Sequence, residues 1–218
     1  LCCMQTEILY SCFLRSAGLN TDTRTLQAGQ MYLALKGENF NGNLFALAAL
    51  EAGATALGVA LLEEAITLRE AGITAPILAW LVPPGSDFKL AVDNNIELAA
   101  SSIKALEEIG AVKSGNRPKV HLEVDTGMAR GGFLDEWGKL DAHHVENLDV
   151  VGIFSHFARA DEPREKQNQV QLNRFKEMVA TLESFGYTNI IRHLSNSAAT
   201  LNDEESRFDM VRAGIAIY

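Results

Sequence analysis

The chain has 218 residues, 47% hydrophobic and 22% charged, a balance that suits a soluble globular protein of one barrel-sized domain or two small ones. Its formal net charge is −9 with no basic cluster or arginine-rich run, which argues against nucleic acid as a partner. No apolar run reaches the roughly 20 residues needed to span a bilayer, which argues against a membrane span.

The chain opens on a mildly apolar stretch that carries all three cysteines, Cys2, Cys3 and Cys12. Their odd number fits no disulfide framework and their spacing no zinc site, so a reducing cytoplasm and no metal are expected. Glu7 and Arg15 interrupt the stretch, and it has neither a basic leader nor a small-residue cleavage site. The first residue is not Met, which reads as a trimmed or mispredicted start. The run 31–35 (MYLAL) then predicts a buried strand, and 44–53 a helix that stops at Gly53.

Strands are predicted next at 56–60, 76–81 and 96–100, with helices over 61–72, 87–93 and 101–113. Glu63, Glu64, Arg69 and Glu70 mark the wet face of the first of these helices, and Ser101 or Ser102 suits the cap of the third. Over 119–125, Val120, Leu122 and Val124 alternate with polar neighbours as a fifth strand does. A sixth is predicted at 150–157, a long amphipathic helix over 167–185, and further strands at 190–194 and 210–218. Eight strands separated by crossover segments argue for parallel pairing with right-handed connections. The count favours a TIM-like (β/α)8 barrel over an open doubly wound sheet, although periodicity does not separate the two.

In such a barrel, functional groups sit at the C-terminal ends of the strands. Those positions hold Lys36, the segment 125–130, His156, Asn196 with Ser197, and Arg212 with Gly214. A hydroxyl and unshielded backbone N–H groups after the last two strands suit a phosphate. A lysine at the end of the first strand would form a Schiff base with an aldehyde. Aldehyde and phosphate together are what pyridoxal phosphate offers.

Four motifs carry a more specific signal. Residues 120–133 read VHLEVDTGMARGGF, 152–158 read GIFSHFA with Asp161 and Glu162 after it, 192–199 read RHLSNSAA, and 208–218 read FDMVRAGIAIY. Together with 62–78, these resemble the N-terminal, cofactor-binding barrel of the alanine racemases, in order and over about 50–218. The resemblance implies a pyridoxal 5'-phosphate enzyme that interconverts L- and D-alanine for peptidoglycan, acting as a homodimer. Arg212 would hydrogen-bond the pyridine nitrogen, and because a guanidinium does not give up its proton the ring would be a weaker electron sink. His156 would pack on the ring. Ser197 with the backbone N–H groups of Gly214 and Ile215 would hold the phosphate, supported by Asn196. Lys36 would carry the Schiff base and move the α-proton on one face, and Arg130 would help position the substrate carboxylate. In the family the second base is a tyrosine of a C-terminal β domain of the partner subunit. That domain is absent here, so the chain is expected to be an incomplete piece that does not racemise by itself.

Three departures qualify the resemblance. The first-strand motif of the family is lysine, small residues, tyrosine, then Gly-His, whereas 36–43 read KGENFNGN, and Phe40 lacks the phosphate-binding hydroxyl. The distance from Lys36 to the helix end at 50–54 is also two residues shorter than expected. Moreover, 21–38 (TDTRTLQAGQMYLALKGE) resembles the N-terminal domain of the Mur ligases. The chain therefore divides into a segment of uncertain origin at 1–43, with the first barrel strand at 31–35, and a barrel at 44–218. Lys36 is either the Schiff-base lysine or part of a spliced start. Glu123 stands where many racemases carry a carbamylated lysine, and it is either a built-in negative charge near Arg130 or an ordinary strand glutamate.

Plainer readings stand beside these. His156 would serve as a core histidine, Ser197 as a helix cap, and His121 as a structural residue. Two rival functions remain, a single-domain protein that carries pyridoxal phosphate without racemising, and a substrate-binding segment of a Mur ligase.

Overall fold

In a computed structural model, residues 55–212 are described without a break, together with positions 2–3, 19–20, 31–32, 36–37, 40–41, 46 and 50. Two-residue strands come first: β1 (Cys2–Cys3), β2 (Leu19–Asn20), β3 (Met31–Tyr32), β4 (Lys36–Gly37) and β5 (Phe40–Asn41). The main series is β6 (Ala56–Val59), β7 (Ile77–Ala79), β8 (Glu97–Ala100), β9 (Lys119–Glu123), β10 (Asp149–Phe154) and β11 (Ile191–His193). These six pair in sequence order, all parallel, as a parallel α/β half-barrel. β1 adds to the edge of β6 in the antiparallel sense.

Six of the eight predicted strands are thus present. The eighth, at 210–218, extends beyond the described residues, yet the chain at 209–212 runs beside β11 and its continuation. Asp209 donates its N–H to the carbonyl of Arg192 at 3.1 Å, and Arg212 donates to that of Ser195 at 3.0 Å. Of the predicted first barrel strand at 31–35, only Met31–Tyr32 lies within the described residues. Met31–Tyr32 pairs with Leu19–Asn20 in a sheet of its own, and Cys2–Cys3 holds the place beside β6. The run MYLAL is apolar throughout, so nothing in its pattern specifies a partner.

Four predicted helices form close to their expected limits: α1 (Leu62–Glu70), α2 (Phe88–Asp93), α3 (Ile103–Gly110) and, after a short α4 (Ala142–Val145), α5 (Lys166–Ser184). Their starts follow from local chemistry. Asp87 accepts from the N–H of Leu90 at 2.9 Å, and Ser102 from that of Ala105 at 3.1 Å. The Glu64 carboxylate reaches back to the N–H groups of Ala60 and Leu61, both at 3.0 Å. The α4 helix, capped by Asp141, was not predicted, since four residues leave almost no periodic signal.

Strand alternation sorts the side chains into two layers. Leu57, Val59, Ile77, Ala79, Leu98, Ala100, Val120, Leu122 and Ile153 point outward and share one buried core with the helices. On the opposite face Leu78, Ala99 and Phe154 form a separate small cluster against Trp80. Near the N-terminal ends of β7 and β8, Arg69 fastens the turns. Its guanidinium donates to the carbonyls of Ile73 and Ala75, both at 2.7 Å, and to those of Asn94 at 2.9 Å and Asn95 at 2.8 Å.

Candidate active site

The loop after β9 is built around one carboxylate. Asp125 is buried, and its Oδ1 accepts the N–H groups of Gly127, Met128 and Ala129 at 2.8, 2.9 and 3.1 Å. The chain then folds back so that Phe133 exchanges backbone bonds with Glu123 (2.8 Å) and Asp125 (2.9 Å). Gly132 permits this approach, because at φ +105° a Cβ would lie 2.6 Å from the carbonyl carbon of Val124. Arg130 is carried on this loop and is exposed. Burial pushes the Glu123 carboxyl above the usual range, and the charges of Arg130 and Arg212 partly offset that.

At the end of β10, Gln171 of α5 locks the turn that presents His156. Its side chain accepts from the N–H of Ala158 at 3.0 Å and donates to the His156 carbonyl and to the Thr126 hydroxyl, both at 3.1 Å. The His156 ring is half-buried, with its Nε2 3.5 Å from Nδ2 of Asn196. Burial first, then the charges of Arg212 and Arg130, lower its pKa to about 4. It is therefore a neutral imidazole at physiological pH.

After β11 comes α6 (Ser197–Asn202). Asn196 rather than Ser197 caps it, accepting the N–H of Ala199 at 3.0 Å, so Ser197 is its first residue and is buried. Arg212 is 7% exposed, deep for a charged group. Its Nη1 donates to Nδ1 of His193 at 3.0 Å and to the His193 carbonyl at 2.6 Å. Its Nη2 donates to the Ser155 carbonyl and lies 3.5 Å from that of Leu194. The Phe154 ring lies beneath the guanidinium, 5.3 Å from its carbon.

Arg212, His156, Asn196 and Ser197 thus gather at the C-terminal ends of β10 and β11, with Arg130 near enough to act on the His156 charge. Lys36 is described only through its backbone, paired with Asn41, and Gly214 and Ile215 lie outside the described residues. Three inward-facing groups outside the predicted set lie beside it: Glu97, His193 and His121. His121, expected to be structural, bridges the other two, with Nε2 3.0 Å from Glu97 and Nδ1 2.9 Å from His193 Nε2.

Against known proteins, the chain matches the family described as alanine racemase, N-terminal domain, over residues 23–218. It is 43% identical over 183 residues to an alanine racemase of Frankia casuarinae, covering 79% of this chain and 47% of that protein. It is 41% identical over 205 residues to the one of Salinispora arenicola, with 89% and 55% covered. Among solved structures, the alanine racemase of a D-cycloserine-producing Streptomyces lavendulae matches with TM-score 0.81 and 35% identity, over 98% of this chain and 55% of that one. The Bartonella henselae alanine racemase with covalently bound pyridoxal phosphate matches with TM-score 0.73 and 25% identity, over 82% and 52%. The chain spans about half the length of the curated relatives it matches. The family match takes in 23–43, so a Mur ligase origin for that stretch is not shown.

Proposed function

Because the chain belongs to the alanine racemase N-terminal domain family, we propose that it forms the pyridoxal-phosphate-binding barrel of an enzyme that interconverts L- and D-alanine for the cell wall. The observation that carries this is that a buried guanidinium, Arg212, and a neutral, half-buried imidazole, His156, stand at the same strand ends, with His156 against the Asn196 that caps the next helix. Such a donor set fits the cofactor. Arg212 offers only N–H donors and so suits an unprotonated ring nitrogen. His156, uncharged and partly buried, suits the face of an aromatic ring. Ser197 at the start of α6, with Gly214 and Ile215 beyond it in sequence, suits the phosphate, and Asn196 steadies both His156 and the helix start.

Pyridoxal phosphate, when bound, supplies the electron sink that lets an α-proton leave. The chain's own residues would bind and direct it. Lys36 would hold the aldehyde and move the proton on one face, and Arg130 would orient the alanine carboxylate. A tyrosine from the C-terminal domain of a partner subunit would serve the other face, as the resemblance implies, which makes the homodimer part of the same proposal. With it go closure of the half-barrel to (β/α)8 over 44–218, residues 1–43 leading into it, and a cytoplasmic setting. The cofactor-carrier and ligase alternatives gain no support from the relatives named above.

Titration of the chain with pyridoxal phosphate, followed by visible absorption, tests this. The expected result is a Schiff-base band that Lys36→Ala abolishes and Arg212→Ala shifts. Absence of any band in the unaltered chain would overturn the assignment.

A further inference from the structure

Across the inner face of the half-barrel runs an unbroken row of four polar side chains: Glu97 on β8, His121 on β9, His193 on β11, and Arg212. Both imidazoles are almost inaccessible, at 1% and 0% exposure. The proton positions follow from the ends. A guanidinium has donors and no acceptor, so Nδ1 of His193, 3.0 Å from Arg212 Nη1, must offer its lone pair. His193 is neutral, held well below the usual histidine range by burial and by Arg212, and its proton is therefore on Nε2. That N–H donates to His121 Nδ1 at 2.9 Å, which in turn must be a lone pair. The remaining proton of His121 sits on Nε2 and donates to Glu97 at 3.0 Å. The His121–Glu97 contact has the geometry of an ion pair. Charging His121 would nevertheless set two N–H donors against each other at His193, so the contact is a neutral imidazole donating to a carboxylate.

We propose that Glu97 is a positioning residue for Arg212: its carboxylate terminates this one-way chain and, through His121 and His193, fixes where the guanidinium is aimed. A proton wire is excluded on chemical grounds, because a guanidinium does not release a proton. What the row transmits is direction. Each imidazole that gives its proton toward Glu97 becomes a better acceptor on its other nitrogen, and the last such nitrogen holds Arg212. The surroundings enforce the same geometry. Gly152 leaves the space that the His121 ring fills, since a Cβ there would overlap the imidazole. Phe154 stacks on His193, and His121 meets His193 edge to face at 5.0 Å. Glu97 borders a cavity of about 170 Å³ shared with His121, Asp209 and Met210, and 15% of its side chain is exposed, so the negative end is not sealed among apolar groups. The consequence for cofactor binding rests on the role proposed above for Arg212, whereas the chain itself does not.

The test reads the imidazole protons directly. In histidine-15N-labelled chain without cofactor, His121 and His193 should each appear as a neutral ring protonated on Nε2, with slowly exchanging N–H signals. Glu97→Gln keeps an acceptor and should keep both signals. Glu97→Leu removes the acceptor and should shift or lose both, including that of His193, two links away. Pyridoxal phosphate, titrated in parallel, should bind about tenfold more weakly to the leucine variant, the factor that one hydrogen bond to a charged group represents. A His193 signal unchanged in Glu97→Leu would overturn the proposal. So would Nδ1 protonation in the unaltered chain, or loss of the signals in Glu97→Gln, and these two outcomes decide the matter even if the leucine variant does not fold. If the signals respond as expected while no variant binds pyridoxal phosphate, the chain stands and the cofactor assignment falls.

Discussion

The His193 imidazole lies nearly flat on the Phe154 ring, with centroids 4.9 Å apart and planes 18° from parallel. The same ring lies under the Arg212 guanidinium at 5.3 Å, so one phenyl group supports two neighbouring members of the polar row. Phe154→Ala should therefore cost about 3–5 kcal/mol in urea denaturation, the range for emptying a buried phenyl site. Phe154→Leu should cost clearly less. Equal losses in both variants would mean that the aromatic face, and not the filled volume, is what matters there.

Gly152 presents the opposite situation, a place where nothing can be added. A methyl group there would meet the His121 ring, whose two nitrogens are both engaged. Gly152→Ala is expected to lower stability by roughly 1–3 kcal/mol through overpacking. Thermal denaturation checks it, and an unchanged melting temperature would contradict the tight fit.

Asp125 holds three backbone donors on one oxygen. Asp125→Ala strands those N–H groups and should cost on the order of 1–3 kcal/mol. Asp125→Asn retains an acceptor oxygen and should recover most of the loss. Hydrogen exchange of the amides of Gly127, Met128 and Ala129 gives the local readout, with faster exchange expected in the alanine variant alone.

Acidification should destabilise the chain through its buried histidines. His156, lowered to about 4, and His193, lowered well below the usual value, stay neutral in the folded state. The unfolded chain takes up those protons first once the pH drops below about 6.5, so the stabilising contribution is intact above that value and declines as pH falls toward the folded pKa. For His156 the loss between about pH 7 and pH 5 is roughly 2 kcal/mol. Glu123, raised by burial, works in the opposite sense and favours the folded state as the pH falls. Urea titrations at the two pH values test the balance, and His156→Asn should flatten the difference.

Much of the frame was legible because parallel strands between helices repeat a simple pattern. Val120, Leu122 and Val124 alternate against His121 and Glu123, and that alternation alone puts both polar groups on the face away from the helices. The same parity places Glu97 and His193 there, so period two held the clue to the polar row. The positions that follow the strands do not reveal the row, because these residues lie within the strands. Ser197 illustrates a different limit. Asn196 and Ser197 are both good caps, and only the observed bond to Ala199 decides between them. The pairing of Met31–Tyr32 with Leu19–Asn20 does not follow from the sequence, since a uniformly apolar segment of five residues has no face to distinguish.

The Arg69 stitch at the far end of β7 and β8 bears on how such a chain changes over time. Its four bonds all go to carbonyls, so they persist whatever side chains the neighbouring turns adopt. This stitch lies at the end of the half-barrel remote from Arg130, His156 and Arg212, whose loops are held by separate bonds to Asp125 and Gln171. Changes in those loops therefore leave it intact, whereas replacing this single arginine would loosen two turns at once.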